Sequence, residues 1–339
     1  MQANHVADAT QISLNEIKEL GAAPGPCISI FIPNDGTFPV RLRHALEKVK
    51  ASVDRRLAET LEDAAHDVVP KGKALAIYCA PEFCRAFHLP ETVEESVSIA
   101  NHFYIKPLIP ALQAERSFYV LALSQKHIRL LRCTEDNSHE VELPAEVLKV
   151  PESEDNVIQL SHFYKQVSEG ITVYLRERHD ESPLVIAGVE YEIATFRKVN
   201  VYPNLAHDVV HGAPDGLKGG ELHKRALDAV HSFFEAPLRK ALVRYEEAGT
   251  QRSSSTVKDI VKASFDGRVL DLILAEGAQY MGVFDDSTRG VKGHKQHVDG
   301  DEDLLNAAAL ETLLHGGEVF IVAGNQIPHG APAVAVYRY

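Results

Sequence analysis

Gln159, Ser161 and His162 fall together at the start of a predicted long helix and are the candidates for hydrolytic chemistry: an amide, a hydroxyl and an imidazole. Glu190 and Glu192 flank the end of a predicted strand and could hold one divalent ion. A two-metal nuclease needs carboxylates clustered on core strands, and 117–123 carries none, so charge at a helix N-terminus is the simpler account. His294 and His297, beside Asp299, Asp301 and Asp303, suggest a metal site. An EF-hand needs glycine at loop position six and a bidentate carboxylate at twelve, and this run offers neither. A solvated loop with a helix cap is the expected reading, and neither metal nor cofactor is expected. His207, His211 and His223 either converge in a pocket or serve packing and hydrogen bonding. GxSxG, HExxH, GxGxxG and P-loop spacings are all missing, which leaves serine hydrolase, zincin, dinucleotide and ATPase readings without a foothold.

One predicted helix, 41–56, is basic: Arg41, Arg43, Lys48, Lys50, Arg55 and Arg56 against Glu47 and Asp54. Arg41, Lys48 and Arg55 are the candidates for contact with RNA phosphates. The alternative is an ordinary amphipathic helix carrying Arg43–Glu47 and Lys50–Asp54 pairs at spacing four. The whole chain has a formal charge of -13, which opposes indiscriminate nucleic-acid binding, free DNA included. Contact with RNA must then be local and guided by shape.

These residues need elements to position them. At 339 residues with 45% hydrophobic content, two or three domains are expected. No apolar run approaches a membrane span, and the start reads as a helix using Ile12, Leu14, Ile17 and Leu20 rather than a secretory signal. A cytoplasmic protein is expected, with Cys27, Cys79, Cys84 and Cys133 as buried free thiols. The first domain, 1–112, is α/β: strand 27–33, a helix with Leu42, Leu46, Val49, Val53, Leu57 and Leu61 on one face, then strands 74–79 and 85–89. The second, 113–246, opens with an antiparallel meander (117–123, 127–133, 140–143). A long helix (157–179), strand 183–189, helix 191–198 and helix 219–246 follow, an RNase H-like order in which Pro237 should kink or divide the last helix. The third, 247–339, follows the polar break 249–255: a helix, two strands, a polar loop (286–300), a capped helix from about 304, a Gly316-Gly317 exit and two closing strands.

In order, Ile28-Ser-Ile-Phe-Ile-Pro33, Ala76-Ile-Tyr-Cys79, Asn101-His-Phe103 with Pro107-Leu108, Pro183-Leu-Val-Ile-Ala-Gly188 and Ala309-Leu-Glu-Thr-Leu-Leu314 resemble segments of the archaeo-eukaryotic peptide release factor and Pelota superfamily, in its bacterial branch. The resemblance covers nearly the whole chain and implies mixed α/β architecture: an N-terminal α/β domain, an RNase H-like middle domain and a small α/β C-terminal domain resembling kink-turn-binding ribosomal proteins.

The superfamily's working motifs are not carried over. Release uses a Gly-Gly-Gln loop before the long middle helix, whose glycines let the backbone enter the peptidyl-transferase centre. The equivalent segment here, 144–162, has no glycine and sets four acidic residues against one lysine. Gly219-Gly220 and Gly316-Gly317 are each followed by glutamate and read as a helix start and a helix exit. Codon reading uses an Asn-Ile-Lys-Ser hairpin and Tyr-x-Cys-x-x-x-Phe. Alignment on Phe103 puts Val97 and Ile99 at the Tyr and Cys positions, and the hairpin is reduced to one helix near 40–61. The expectation is a non-enzymatic relative that binds a ribosomal or tRNA-containing site, with a protein partner possible and no membrane. The alternatives are a peptidyl-tRNA hydrolase or tRNA nuclease built on Gln159, Ser161 and His162, and a stress or defence interaction protein outside translation.

Overall fold

The computed structural model describes residues 8–9, 12–66, 68–81, 83–114, 117–124, 128–143, 157–217, 219–296, 298 and 300–339. Two compact units result: Met1–Ala114 with Ala241–Tyr339, and Glu115–Lys240.

The first unit begins with β1 (Asp8–Ala9), α1 (Leu14–Ala22), β2 (Cys27–Pro33), α2 (Phe38–Lys50), α3 (Arg55–His66), β3 (Ala74–Ala80), β4 (Phe83–Leu89), β5 (Ser96–Ala100) and α4 (Leu108–Ala114). Their sheet has the order β1-β4-β3-β2-β5, antiparallel except where β1 meets β4. Strand alternation divides its side chains between two cores. Ile28, Ile30, Ile32, Leu75 and Ile77 pack with Val49, Leu57 and Leu61 of α2 and α3. Phe31, Ala76, Tyr78 and Phe87 point the other way. The single basic helix expected over 41–56 is two helices: Asp54 accepts from Leu57 N (3.0 Å) and so starts α3 afresh. The cysteines also need correction. Cys79 and Cys84 are opposed across the β3–β4 ladder and joined as a disulfide, while Cys27 and Cys133 are buried and free.

The second unit holds β6 (Phe118–Leu123), β7 (Ile128–Cys133), β8 (Ser138–Val141), α5 (Val157–Glu177), β9 (Leu184–Gly188), α6 (Glu190–Val199), β10 (Val210–His211) and most of α7 (Gly219–Arg252). Its sheet order is β10-β9-β6-β7-β8, with β6, β9 and β10 mutually parallel and β7 antiparallel to both its neighbours. Numbered within the unit this is 5-4-1-2-3, the RNase H-like arrangement. One face, with Tyr119, Leu121 and Leu130, packs on Phe163, Val167, Ile171 and Leu175 of α5 and on Phe196 of α6. The other, with Phe118, Val120 and Val185, packs on Leu222, Ala226 and Val230 of α7. α7 is not divided at Pro237; its non-helical residue is Gly249 (φ 63°, ψ 176°). Glycine reaches that region without Cβ strain, whereas the helix tolerates one lost amide bond.

The chain then completes the first unit with β11 (Ser253–Ser254), α8 (Val257–Phe265), β12 (Val269–Ala275), β13 (Met281–Asp285), β14 (Gly290–Gly293), β15 (Glu302–Asp303), α9 (Leu304–Leu314), β16 (Glu318–Val322) and β17 (Ala333–Tyr337). One sheet runs β11-β17-β12-β16 and a smaller one β14-β13-β15, so the segment read as a polar loop contains a strand. Gly316 (φ 73°) makes the expected helix exit, and a Cβ at Gly317 would lie 2.8 Å from Val269 O. Leu304, Leu305, Ala308 and Leu310 of α9 share one continuous core with Ile17 and Leu20 of α1 and with Phe31, Tyr78, Phe87 and Phe103. The two ends of the chain therefore fold on each other.

Candidate functional site at the edge of the central sheet

Parallel strands deliver their carboxyl ends to one edge, and in open α/β sheets that edge collects function. Here β6, β9 and β10 end together; Gly212 N donates to Gly188 O at 3.0 Å. β8 runs parallel to β6, so its own carboxyl end lies at the same edge, and α5 is the next described element of the chain. Gln159 and His162 are exposed in its opening turns and Ser161 is half-buried. At about 100° per residue, Ser161 lies roughly 200° round the helix from Gln159 and leaves it on another side, whereas His162, three residues on, lies about 60° from Gln159 and shares its face. Residues 144–156, most of the segment equivalent to the release loop, lie outside the described residues.

The rim itself is polar. The Ser124 hydroxyl donates to Asp215, and the Glu190 carboxylate meets His211 Nδ1 at 3.2 Å; their side chains are 80% and 64% exposed. Glu192 is 5% exposed and its Oε2 accepts from Val189 N at 3.4 Å, across the first turn of its own helix. A Cβ at Gly188 would approach that oxygen to 3.3 Å and Leu123 Cβ to 3.2 Å, so glycine permits this close packing. Glu190 and Glu192 thus serve different partners. Among the described residues no group of three metal-ligating side chains occurs. The rim can donate and accept hydrogen bonds, and the helix-terminus account of both glutamates holds.

The other candidates separate in space. His207 meets Asp208 (3.0 Å), His211 meets Glu190, and His223 Nε2 lies 2.7 Å from Thr134 O with its ring stacked over Phe118. Each has its own partner, and none of these contacts joins one histidine to another. His294 Nδ1 lies 2.7 Å from Asp301 Oδ1, and Asp303 Oδ1 accepts from Leu305 N (3.1 Å) as the α9 cap. His297 and Asp299 lie outside the described residues.

Arg41 is taken up by carboxylates: its guanidinium meets Glu95 at 2.6 Å and Asp35 at 3.5 Å, and the hydrogen bond it donates to Glu95 raises its pKa. Arg55 is 92% exposed and pairs with Glu59 at 2.7 Å, one turn on. Lys50 pairs with Glu62 across the α2–α3 turn, in place of the expected Asp54 partner. Lys48 is exposed. Two of the three candidate phosphate contacts therefore already have carboxylate partners.

Sequence reasoning missed a buried polar seam in the first unit. Asn306 of α9 accepts from Ile105 N (2.7 Å) and Lys106 N (3.2 Å) and donates to Phe103 O (2.9 Å). Lys106, 7% exposed, donates to Asp303 Oδ2 at 2.6 Å and to Ala278 O. No local pattern announces contacts between residues about 200 apart; the one available signal was the polar Asn306 inside an otherwise apolar helix face.

Residues 117–268 match the family described as bacterial archaeo-eukaryotic release factor family 3. No curated protein matches the chain. Similar solved structures include the archaeal translation termination factor aRF1, at 16% identity over 97% of this chain and 99% of that one, TM-score 0.27. S. cerevisiae Dom34, a translation termination-like factor involved in RNA quality control pathways and interacting with Hbs1, is 13% identical over 97% and 92%, TM-score 0.41. Ribosome-bound archaeal Pelota with ABCE1 gives 10% over 98% and 95%, TM-score 0.44.

Proposed function

We propose that this chain, whose residues 117–268 match the family described as bacterial archaeo-eukaryotic release factor family 3, is a release-factor-like protein that binds a ribosomal or tRNA-containing site without releasing peptide by a Gly-Gly-Gln loop. One observation carries the reading: the matched segment contains the RNase H-like sheet and the long α5 helix, yet the whole sequence holds no Gly-Gly-Gln. A glycine-free approach segment with four carboxylates meets phosphate repulsion at a tRNA acceptor end and lacks the backbone freedom the motif supplies. The rim of Ser124–Asp215 and Glu190–His211 then serves as a recognition edge. Among the described residues neither pair belongs to a group of three metal-ligating side chains. The division into 1–112, 113–246 and 247–339 belongs to the same proposal.

Pull-down from cell lysate, with ribosomal subunits and tRNA quantified at low and physiological salt, tests it. Enrichment of subunits or tRNA supports the reading. A bait that enriches neither at either salt defeats it, and the interaction reading outside translation would then lead. Alanine replacement of Gln159, Ser161 and His162 is expected to leave binding intact; a peptidyl-tRNA hydrolysis that those replacements abolish would establish the enzymatic alternative instead.

A further inference from the structure

The seam between residues 101–106 and the start of α9 joins the two ends of the chain, and one of its contacts differs in kind from the rest. Asn306 has no titratable group. His102 is the side-chain type whose charge ordinarily changes between about pH 5 and 8. Its Nδ1 lies 2.8 Å from Glu302 Oε2, with the Glu302 side chain 10% exposed and the imidazole about a third exposed. We propose that the His102–Glu302 pair is a pH-sensitive clasp on this joint, tight when the imidazole is charged and slack when it is neutral.

The surroundings fit a charged imidazole. Glu302, on β15 just before α9, is its hydrogen-bond partner, and Glu311 of α9 adds negative potential. From α8 the Phe265 ring approaches edge-on at 6.3 Å between centroids. The positive groups nearby are occupied elsewhere. Arg289 bonds Asp286 and Asp266, Lys106 bonds Asp303, and His315 turns to Glu311. The Cys27 thiol, beside Glu302, is pushed up to about 11 by burial and stays neutral. The hydrogen bond to Glu302 raises the His102 pKa; burial opposes it, and the Glu302 and Glu311 charges add to it. A raised folded-state pKa gives stabilisation that is complete below the unfolded value of 6.5 and is lost as pH rises through the folded value. Glu311 is raised by burial, partly offset by His315, His102 and Arg289, so its ionisation weakens the fold as pH climbs above 4.5. Both effects make the joint firmest in mild acid.

Loosening has a defined consequence. Phe103 and Ile105 are fully buried in the core shared by the chain's two ends, and Asn306 holds the backbone between them. Slack at His102 raises the opening rate of 101–106 without dismantling that core.

Hydrogen exchange of the full-length protein at about pH 6 and about pH 8.5, corrected for intrinsic rates, tests this on peptides spanning 101–108 and 302–310. The wild type is expected to lose protection there at the higher pH, and His102→Gln to show the lower protection at both. A His102→Gln variant that keeps the wild-type pH dependence, or a wild type with none, overturns the proposal. Should that variant not fold, histidine-ring NMR on wild type and Glu302→Gln decides. One imidazole midpoint above about 6.5 that falls in the variant supports the clasp; all midpoints unchanged by the substitution overturn it.

Discussion

Asn306→Leu isolates the seam that holds the two ends of the chain together. The replacement keeps the branched heavy-atom skeleton, with two methyl groups in place of the amide oxygen and nitrogen, so no cavity forms and the deficit is chiefly polar. Asn306 is 4% exposed and satisfies three backbone groups: Ile105 N, Lys106 N and Phe103 O. Each buried group left unpaired costs about 1–3 kcal/mol. With some relaxation of the short 103–106 segment, the loss should be about 3–5 kcal/mol. That is a large part of the roughly 5–15 kcal/mol that holds a typical domain folded. Urea unfolding is the assay, with the midpoint expected to fall at unchanged m-value, and hydrogen exchange at 27–33 and 269–275 reporting the shared core. A loss below about 1 kcal/mol would refute the reasoning, because the amide would then be dispensable and the joint held by apolar packing alone.

Three further outcomes are expected. Thiol titration in denaturant without reductant should find the two free cysteines, Cys27 and Cys133, and all four after reduction; four from the outset would show that Cys79 and Cys84 are not joined. Hydrogen bonds from Ser287 and Thr288 hold the Asp285 carboxylate down at about 2, below 3.8, so its support of the β13–β14 turn is complete above 3.8 and lost as pH falls through about 2. An NMR titration midpoint at or above 3.8 would contradict that assignment. Combined Arg41→Gln and Arg55→Gln substitution should leave ribosome co-sedimentation unchanged, since Glu95, Asp35 and Glu59 already take up both cations; a marked loss would give the α2–α3 face a phosphate-binding role.

Much of the scaffold was legible because its signals are local. Val269–Ala275 reads as a short apolar run bounded by polar residues and is β12; the helix behind Asp303, its Gly316 exit and the two last strands follow from caps and period. The RNase H-like arrangement of the central unit was legible from its meander followed by helix, strand and helix, whereas the two-residue edge strand β10, inside a segment rich in Gly, Pro and His, was not. The α2–α3 break was missed although Asp54 three residues before Leu57 is a capping signal, because Val49, Val53 and Leu57 maintain helical spacing straight through it. The Cys79–Cys84 bond depends on ladder register, and sequence spacing alone does not reveal which residues face each other. At the candidate site, Glu190 and Glu192 were legible as helix-terminal charges, whereas the Ser124–Asp215 pair needed the fold to bring two edges together. The Lys106–Asp303–Asn306 seam is invisible in one dimension for the same reason.

A purified ribosome complex carrying peptidyl-tRNA with a labelled nascent chain puts the central claim to its most direct test. Incubation with this protein, followed by sedimentation, reads occupancy and ester integrity in one sample. The account predicts protein in the ribosomal fraction and the label still attached to tRNA. Label freed at a rate that tracks protein concentration, or no protein in the ribosomal fraction at all, would contradict it.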